Sequence, residues 1–217
     1  MSATSSWKWK LAQVLELQWW KKYLKNKDRN HYLQWKASYW NNLLFDIEKY
    51  IELPEHFMIL DAGCGPAGIF ICLKRNQVVA IDPLLNRYIE NKLLHPENYP
   101  WVQFKQSKIE DLDFTEKFDY IFCLNAINHV KDIEKSYDAL VGALKPGGTL
   151  IISTDAHKNN FLKKIFQLIP GDMLHPVQLD INEYNAMLTS RNLEIVKNIL
   201  HKQEKIFDYY ITIAKKK

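Results

Sequence analysis

The fold of this chain is decided by one stretch, ILDAGCGPAGI, which occupies residues 59–69. A short apolar run leads into it, Asp61 ends that run, and glycines follow at positions 63, 65 and 68. Glycine tolerates positive φ and lets a ligand lie against bare backbone. The stretch therefore predicts a strand, a ligand-binding turn and then a helix, with the turn at the strand end where open parallel sheets bind their ligands.

The alternation of strand and helix continues along the chain. Apolar runs of strand length occupy residues 57–60, 77–81, 101–105, 118–124 and 148–153. Helical patterns occupy residues 69–75, 84–94, 132–144, 158–168 and 180–191, and two final strands at 193–199 and 205–214 are close enough to form an antiparallel edge hairpin. We predict an α/β fold, a Rossmann-like three-layer sandwich with a mostly parallel seven-stranded sheet and an antiparallel last strand.

Residues 1–55 are predicted to form a helical extension, and residues 56–217 the α/β domain that binds the ligand. Residues 7–52 have helical periodicity, interrupted by polar residues at 26–30, and Tyr32, Trp35, Tyr39 and Leu43 follow one another at three- and four-residue steps. Six of the seven tryptophans lie in the first 40 residues. This aromatic stripe is either packing surface or a lid, because aromatic walls suit an organic substrate or a sulfonium cation.

A carboxylate one strand away accompanies the glycine turn. Asp82 ends the second predicted strand, 19 positions after Gly63. A carboxylate in that place can accept hydrogen bonds from both hydroxyls of a ribose. The alternative is a tight turn at Gly63 and Gly65, with Asp82 capping the next helix. The combined spacing favours nucleoside binding.

The glycines at 63, 65 and 68 also satisfy the G-x-G-x-x-G pattern of dinucleotide-binding proteins. Two residues oppose a dinucleotide. Asp61 would face the pyrophosphate unfavourably but could pair with an ammonium group, and Pro66 removes an N–H donor near the helix start. An NAD(P)-dependent oxidoreductase therefore stays as the second hypothesis.

Several motifs resemble those of class I S-adenosylmethionine-dependent methyltransferases, in the same order. They are ILDAGCGPAGI at 59–69, VVAIDP at 78–83, IEDL at 109–112, FDYIFCLNAINHV at 118–130 and LKPGG at 144–148. The last two are similar to motifs of the ubiquinone/menaquinone-methyltransferase-like group. The resemblance covers residues 56 to about 155 and implies S-adenosylmethionine as the cofactor, with S-adenosylhomocysteine as its product.

The resemblance also implies roles for individual residues. Asp61, Gly63 and Gly65 would border the methionine moiety, and Asp82 would hold the ribose hydroxyls. The adenine would lie between Ile109 and Glu110, and the backbone near Asn125 would approach the amino group of the cofactor. Relatives often carry an acid for the adenine amino group where this chain has Lys108, so Glu110, Asp111 or backbone would have to serve instead. A second departure is Ala67, where many relatives have glycine.

His129 is the candidate catalytic residue. It follows the fourth predicted strand, where the resemblance places the substrate, and we expect it to orient or deprotonate the acceptor. The alternative is a histidine that caps the helix beginning near Asp132. Asp155, His157 and His175 are further candidates for substrate contact, and we expect no metal site because no third ligand stands at a suitable spacing.

Composition limits the function class. A net charge of +4 and pI of about 8.8 are only mildly basic, the three cysteines have no C-x-x-C spacing, and no apolar run reaches membrane-spanning length. We expect a cytoplasmic enzyme that methylates a small molecule at O, N or C, with nucleic acid disfavoured as substrate and the oligomeric state open. A non-catalytic subunit that binds a partner through its tryptophan-rich N-terminus is the third hypothesis.

Overall fold

The computed structural model describes residues 6–157, 179–204 and 207–217. The helix predicted near 158–168 and the candidate His175 lie outside these described residues. Within the described parts, no helix combines the length and the apolar character that a membrane span needs.

One seven-stranded sheet forms the centre of the protein. Its strands are β1 (Met58–Ala62), β2 (Gln77–Asp82), β3 (Val102–Gln106), β4 (Phe118–Cys123), β5 (Leu144–His157), β6 (Leu193–Gln203) and β7 (Phe207–Lys216). They lie in the order β3-β2-β1-β4-β5-β7-β6. Strands β1 to β5 pair in parallel, and β7 runs antiparallel to both of its neighbours. The predicted fold class is confirmed.

Helices cover both faces of the sheet because its inner strands are apolar on both sides. In the described residues the α-helices are α1 (Ser6–Leu24), α2 (Arg29–Glu48), α3 (Leu85–Glu90), α4 (Ile133–Ala143) and α5 (Ile181–Thr189). Buried residues of α4 and α5 pack with one face of the sheet, and those of α2 and α3 pack with the other. The result is the three-layer arrangement that buried parallel strands require.

Two predicted helices are shorter than expected. In place of a helix over residues 69–75 there is a single 3-10 turn, Ile69–Cys72, and residues 84–94 form only the six-residue α3. The cause at the first position is the short path from the glycine turn to β2. Asn76 and Arg75 already bind the backbone ahead of β1, where Phe57 N–H donates to Asn76 Oδ1 at 2.9 Å.

The two N-terminal helices are separated where the polar residues predicted a break. Asp28 caps α2, and its side chain accepts a hydrogen bond from His31 N–H at 2.8 Å. Much of the aromatic stripe is packing surface, since Tyr32, Trp40 and Leu43 are buried. Trp35, in the same stripe, is 52% exposed.

Candidate functional site

A cavity opens at the carboxyl ends of the parallel strands, beside the glycine turn. Its empty space, including the open solvent at its mouth, is about 830 Å³. Every residue to which the sequence assigned a catalytic or cofactor-binding role lines it: Asp61, Gly63, Gly65, Asp82, Ile109, Glu110, Asn125 and His129. Four separate segments of the chain therefore meet at one place.

The glycine turn brings its backbone close to neighbouring loops. Gly63 has φ +77°, and a Cβ at this position would lie 2.3 Å from the Cβ of Ala126. A Cβ at Gly68 would lie 2.4 Å from Oδ2 of Asp61. Both distances are too short for any side chain, so the turn depends on glycine at these two points.

Asp61 lies buried beneath the turn. Its Oδ2 accepts a hydrogen bond from Phe70 N–H at 3.1 Å, at the start of the 3-10 turn. Burial raises the pKa of Asp61 to about 7, against the lowering effect of the Phe70 and Ile69 N–H groups and of the Lys36 charge. Lys36 also lines the cavity, and burial lowers its pKa to about 8. A carboxyl group and an amine thus stand at the same end of the cavity.

Asp82 lies at the next strand end and is 5% exposed. Its Oδ1 accepts from Leu84 N–H at 2.8 Å, and its Oδ2 accepts from Gly65 N–H at 3.0 Å. Burial, and after it the nearby carboxylate of Glu16, raise the pKa of Asp82 to about 7. The Gly65 contact ties this carboxylate to the glycine turn.

Glu110 lines the cavity but also supports the backbone ahead of α4. Its Oε1 accepts from Lys131 N–H at 2.8 Å and from Asp132 N–H at 3.2 Å. The alternative acid, Asp111, has its carboxylate 3.4 Å from the Lys108 ammonium. One oxygen of Glu110 is therefore already engaged, and Asp111 is paired at the surface.

The loop after β4 carries the last two predicted residues. Asn125 has φ +55°, and its N–H donates to Ser153 Oγ at 2.7 Å. His129 ends a short 3-10 helix, Ile127–His129, and faces the cavity. Asp132 rather than His129 caps α4, since its own side chain accepts from Lys135 N–H at 3.1 Å.

Two further candidates do not line this cavity. Asp155 and His157 lie in β5, and neither is among the cavity residues of the described chain. The His157 ring instead lies 4.4 Å from the ring of Phe207. These two candidates for substrate contact therefore lie outside this cavity.

The sequence did not identify the individual residues of the two N-terminal helices that line the cavity opposite the sheet. They come from α1 and α2 and are Trp9, Gln13, Glu16, Trp20, Lys36 and Trp40. Trp40 Nε1–H donates to the Ala67 carbonyl at 3.0 Å, which fastens α2 to the glycine turn. The four α1 residues follow one another at steps of four, three and four, which is the helical pattern that could have revealed them.

Comparison with known proteins agrees with this arrangement. Residues 60–152 match the family model of a methyltransferase domain. The ubiquinone biosynthesis O-methyltransferase of Rickettsia felis is 38% identical over 98 residues, which are 44% of this chain and 40% of that relative. This chain therefore spans less than half the length of that relative.

Solved structures share the fold over more of the chain. The magnesium protoporphyrin IX methyltransferase of Synechocystis PCC 6803, with bound S-adenosylhomocysteine, aligns with a TM-score of 0.65 and 18% identity over 94% of this chain and 95% of its own. A phosphoethanolamine N-methyltransferase of Haemonchus contortus, in complex with phosphomonomethylethanolamine and S-adenosylhomocysteine, aligns with a TM-score of 0.64 and 17% identity, over 82% of this chain and 52% of its own. Residues 60–152, which build the crevice, therefore resemble a methyltransferase domain in sequence, and the chain shares its fold with methyltransferases of known structure.

Proposed function

We propose that this protein transfers a methyl group from S-adenosylmethionine to an O, N or C atom of a small molecule and releases S-adenosylhomocysteine. The observation that carries the proposal is the single cavity on which all eight predicted site residues converge. The family match over residues 60–152 covers the segments that provide these eight residues.

The charges and shape of the cavity fit this cofactor. Asp61 and Lys36 present a carboxyl group and an amine at the end nearest the glycine turn, which complements the ammonium and carboxylate of an amino acid. Asp82, between this end and the loop of Ile109, is placed to accept the ribose hydroxyls. The absence of side chains at Gly63 and Gly65 leaves room for the ligand against the backbone.

The same contacts argue against a dinucleotide. Pyrophosphate sites use free backbone N–H groups at the start of a full helix. Here only a 3-10 turn follows the glycines, and the N–H groups of Ile69 and Phe70 point to the Asp61 carboxylate. A diphosphate would find an acid where it needs donors.

The demands on the protein side chains are modest, because S-adenosylmethionine supplies both the methyl group and its leaving group. The residues around the cavity have to orient the acceptor and exclude water. If the acceptor atom carries an acidic proton, His129 is the group placed to remove it. Its position in the cavity wall supports this role.

We include in the proposal that residues 1–55 form a lid on the domain of residues 56–217. Trp9, Trp20 and Trp40 line the cavity, whereas Trp7, Trp19 and Trp35 are each more than half exposed. These exposed tryptophans favour the alternative hypothesis of a non-catalytic subunit that binds a partner, because tryptophan is enriched at protein interfaces. The free thiols of the three cysteines fit the cytoplasmic location that we propose.

Isothermal titration calorimetry tests the proposal most directly. We expect the wild-type protein to bind S-adenosylhomocysteine and not NADH. Asp82→Asn should lower the affinity for S-adenosylhomocysteine by at least about tenfold, since a hydrogen bond to a charged group contributes about 1.5–3 kcal/mol. The matched control is Asp46→Asn, at an exposed aspartate on α2. Binding of NADH alone would show that the enzyme is an oxidoreductase.

A further inference from the structure

One face of α1 lies over the cavity along its length. Trp9, Gln13, Glu16 and Trp20 all line it, and their spacing places them on a single helical stripe. The ends of the stripe have different surroundings. The Lys108 ammonium lies 5.0 Å from the centre of a Trp9 ring, whereas Trp20 lies 3.9 Å from the position of a Cβ on Gly65. The stripe therefore runs from the Lys108–Ile109 loop to the glycine turn.

Glu16 marks the middle of this stripe. Its Oε1 accepts a hydrogen bond from the hydroxyl of Tyr88 at 3.3 Å. Its charge is close enough to Asp82 to raise the pKa of that carboxyl group. Gln13 is one turn closer to Trp9. It therefore lies between the carboxylate proposed for the ribose and the loop proposed for the adenine.

Gln13 has one polar atom that is buried and unsatisfied. The residue is only 9% exposed, and its Nε2–H donates to Glu16 Oε2 at 3.4 Å. Its Oε1 receives no hydrogen bond from any residue in the described part of the chain. Buried acceptors are rarely left in this state, so this oxygen points to a ligand that donates a hydrogen bond.

The opposite wall of the cavity offers few acceptors at this end. Lys108 carries only donors, and one oxygen of Glu110 already accepts two backbone N–H groups. An adenine at this place presents an exocyclic amino group, which is a donor. The unsatisfied oxygen of Gln13 is the complementary partner.

We propose that Gln13 selects adenine by accepting a hydrogen bond from its amino group, and that Glu16 is a positioning residue. Glu16 binds the amide nitrogen of Gln13, which keeps the amide oxygen turned away from it and available to the base. This inference rests on the proposed function, because it assumes that an adenosyl cofactor occupies the cavity.

The test compares S-adenosylhomocysteine with S-inosylhomocysteine by calorimetry, since the second has a carbonyl oxygen in place of the amino group. Wild-type protein should prefer the adenosyl compound by at least about tenfold, because two facing acceptors cannot bond. Gln13→Met should lose this preference, whereas Gln18→Met, on the exposed side of the same helix, should keep it. Gln13→Glu, which retains an acceptor oxygen, should keep the preference as well.

Glu16→Met gives an independent measurement. Without its carboxylate the Gln13 amide can turn and donate to the inosyl carbonyl, so the preference should shrink mainly through better binding of the inosyl compound. If Glu16 had only a structural role, its replacement would lower the affinity for both compounds by the same factor. That result would overturn the assignment of Glu16 as a positioning residue. An unchanged preference in a folded Gln13→Met variant would overturn the role of Gln13 while leaving the proposed function intact. Failure of the wild-type protein to bind either compound would overturn both.

Discussion

The buried carboxyl group of Asp61 should make the ligand-free protein less stable as the pH rises. Its pKa is raised from 3.8 to about 7 by burial, so the folded protein holds this proton more tightly than the unfolded chain does. Stability then falls with increasing pH across the interval between the two pKa values, and levels off above pH 7. Between pH 5.5 and pH 8, the loss from this single group is about 2 kcal/mol.

Replacement of Asp61 by asparagine isolates this contribution. The amide keeps an oxygen for the Phe70 N–H but does not titrate, so the pH dependence of the variant should be smaller by about 2 kcal/mol. For a chain of this length the difference corresponds to a shift of about 6 °C in Tm. The Asp61 charge is the smallest of the causes that raise the pKa of the neighbouring Asp82, so the titration of Asp82 changes little between the two proteins. Lys36 has a pKa lowered to about 8 that the Asp61 charge helps to raise, so the change in its titration adds to the difference only towards pH 8.

Urea denaturation at pH 5.5 and pH 8, followed by circular dichroism, measures the effect. The control is Asp46→Asn at the surface, which should show the same pH dependence as the wild type because Asp46 is exposed to solvent beside Lys49. Equal pH dependence in the wild type and in Asp61→Asn would mean that Asp61 is ionised throughout. Desolvation would then not dominate this site, and the account of the cavity charges given above would be wrong.

Three further substitutions test other parts of the cavity. His129→Ala should keep its affinity for S-adenosylhomocysteine and lower kcat about 100-fold for an acceptor that must lose a proton; unchanged turnover would exclude a base. Gly63→Ala should destabilise the protein by about 2 kcal/mol or more in urea denaturation, because its Cβ would meet Ala126 at 2.3 Å and its φ is positive. Glu110→Gln should lower the free energy of unfolding by about 1–2 kcal/mol through weaker bonds to the two N–H groups ahead of α4. If the variant instead lost affinity for S-adenosylhomocysteine without losing stability, the main role of Glu110 would be to contact the adenine.

The sheet and its crevice were predictable because the sequence encodes them locally. Buried parallel strands such as β1 and β4 are continuous apolar runs, and the residues that face the ligand stand directly after them. Asp61, Asp82 and Asn125 could therefore be placed at one edge without any knowledge of long-range contacts. Their convergence follows from the rule that parallel strands end on the same side.

The prediction of a helix after the glycine turn was wrong for a reason that the local sequence pattern does not show. The apolar residues Ile69, Phe70 and Ile71 are all buried. The backbone nevertheless makes only one 3-10 turn, because the N–H of Phe70 is bound by Asp61 and the chain must enter β2 five residues after Cys72. Tertiary contacts of the turn therefore override helical periodicity.

The part of the cavity wall that α1 provides was not predicted, because periodicity alone does not say what a helix face covers. Trp9, Gln13, Glu16 and Trp20 form a stripe that is half polar, so hydrophobic patterning does not separate it from the exposed sides of α1. The polar members become informative only when the sheet stands opposite them. Gln13 and Glu16 are buried or half-buried on a helix whose neighbouring residues Val14 and Leu15 are exposed. Burial of polar groups in place of apolar ones costs stability unless the polar groups are hydrogen-bonded, and the unsatisfied oxygen of Gln13 makes this inversion an argument that α1 is part of the proposed binding site.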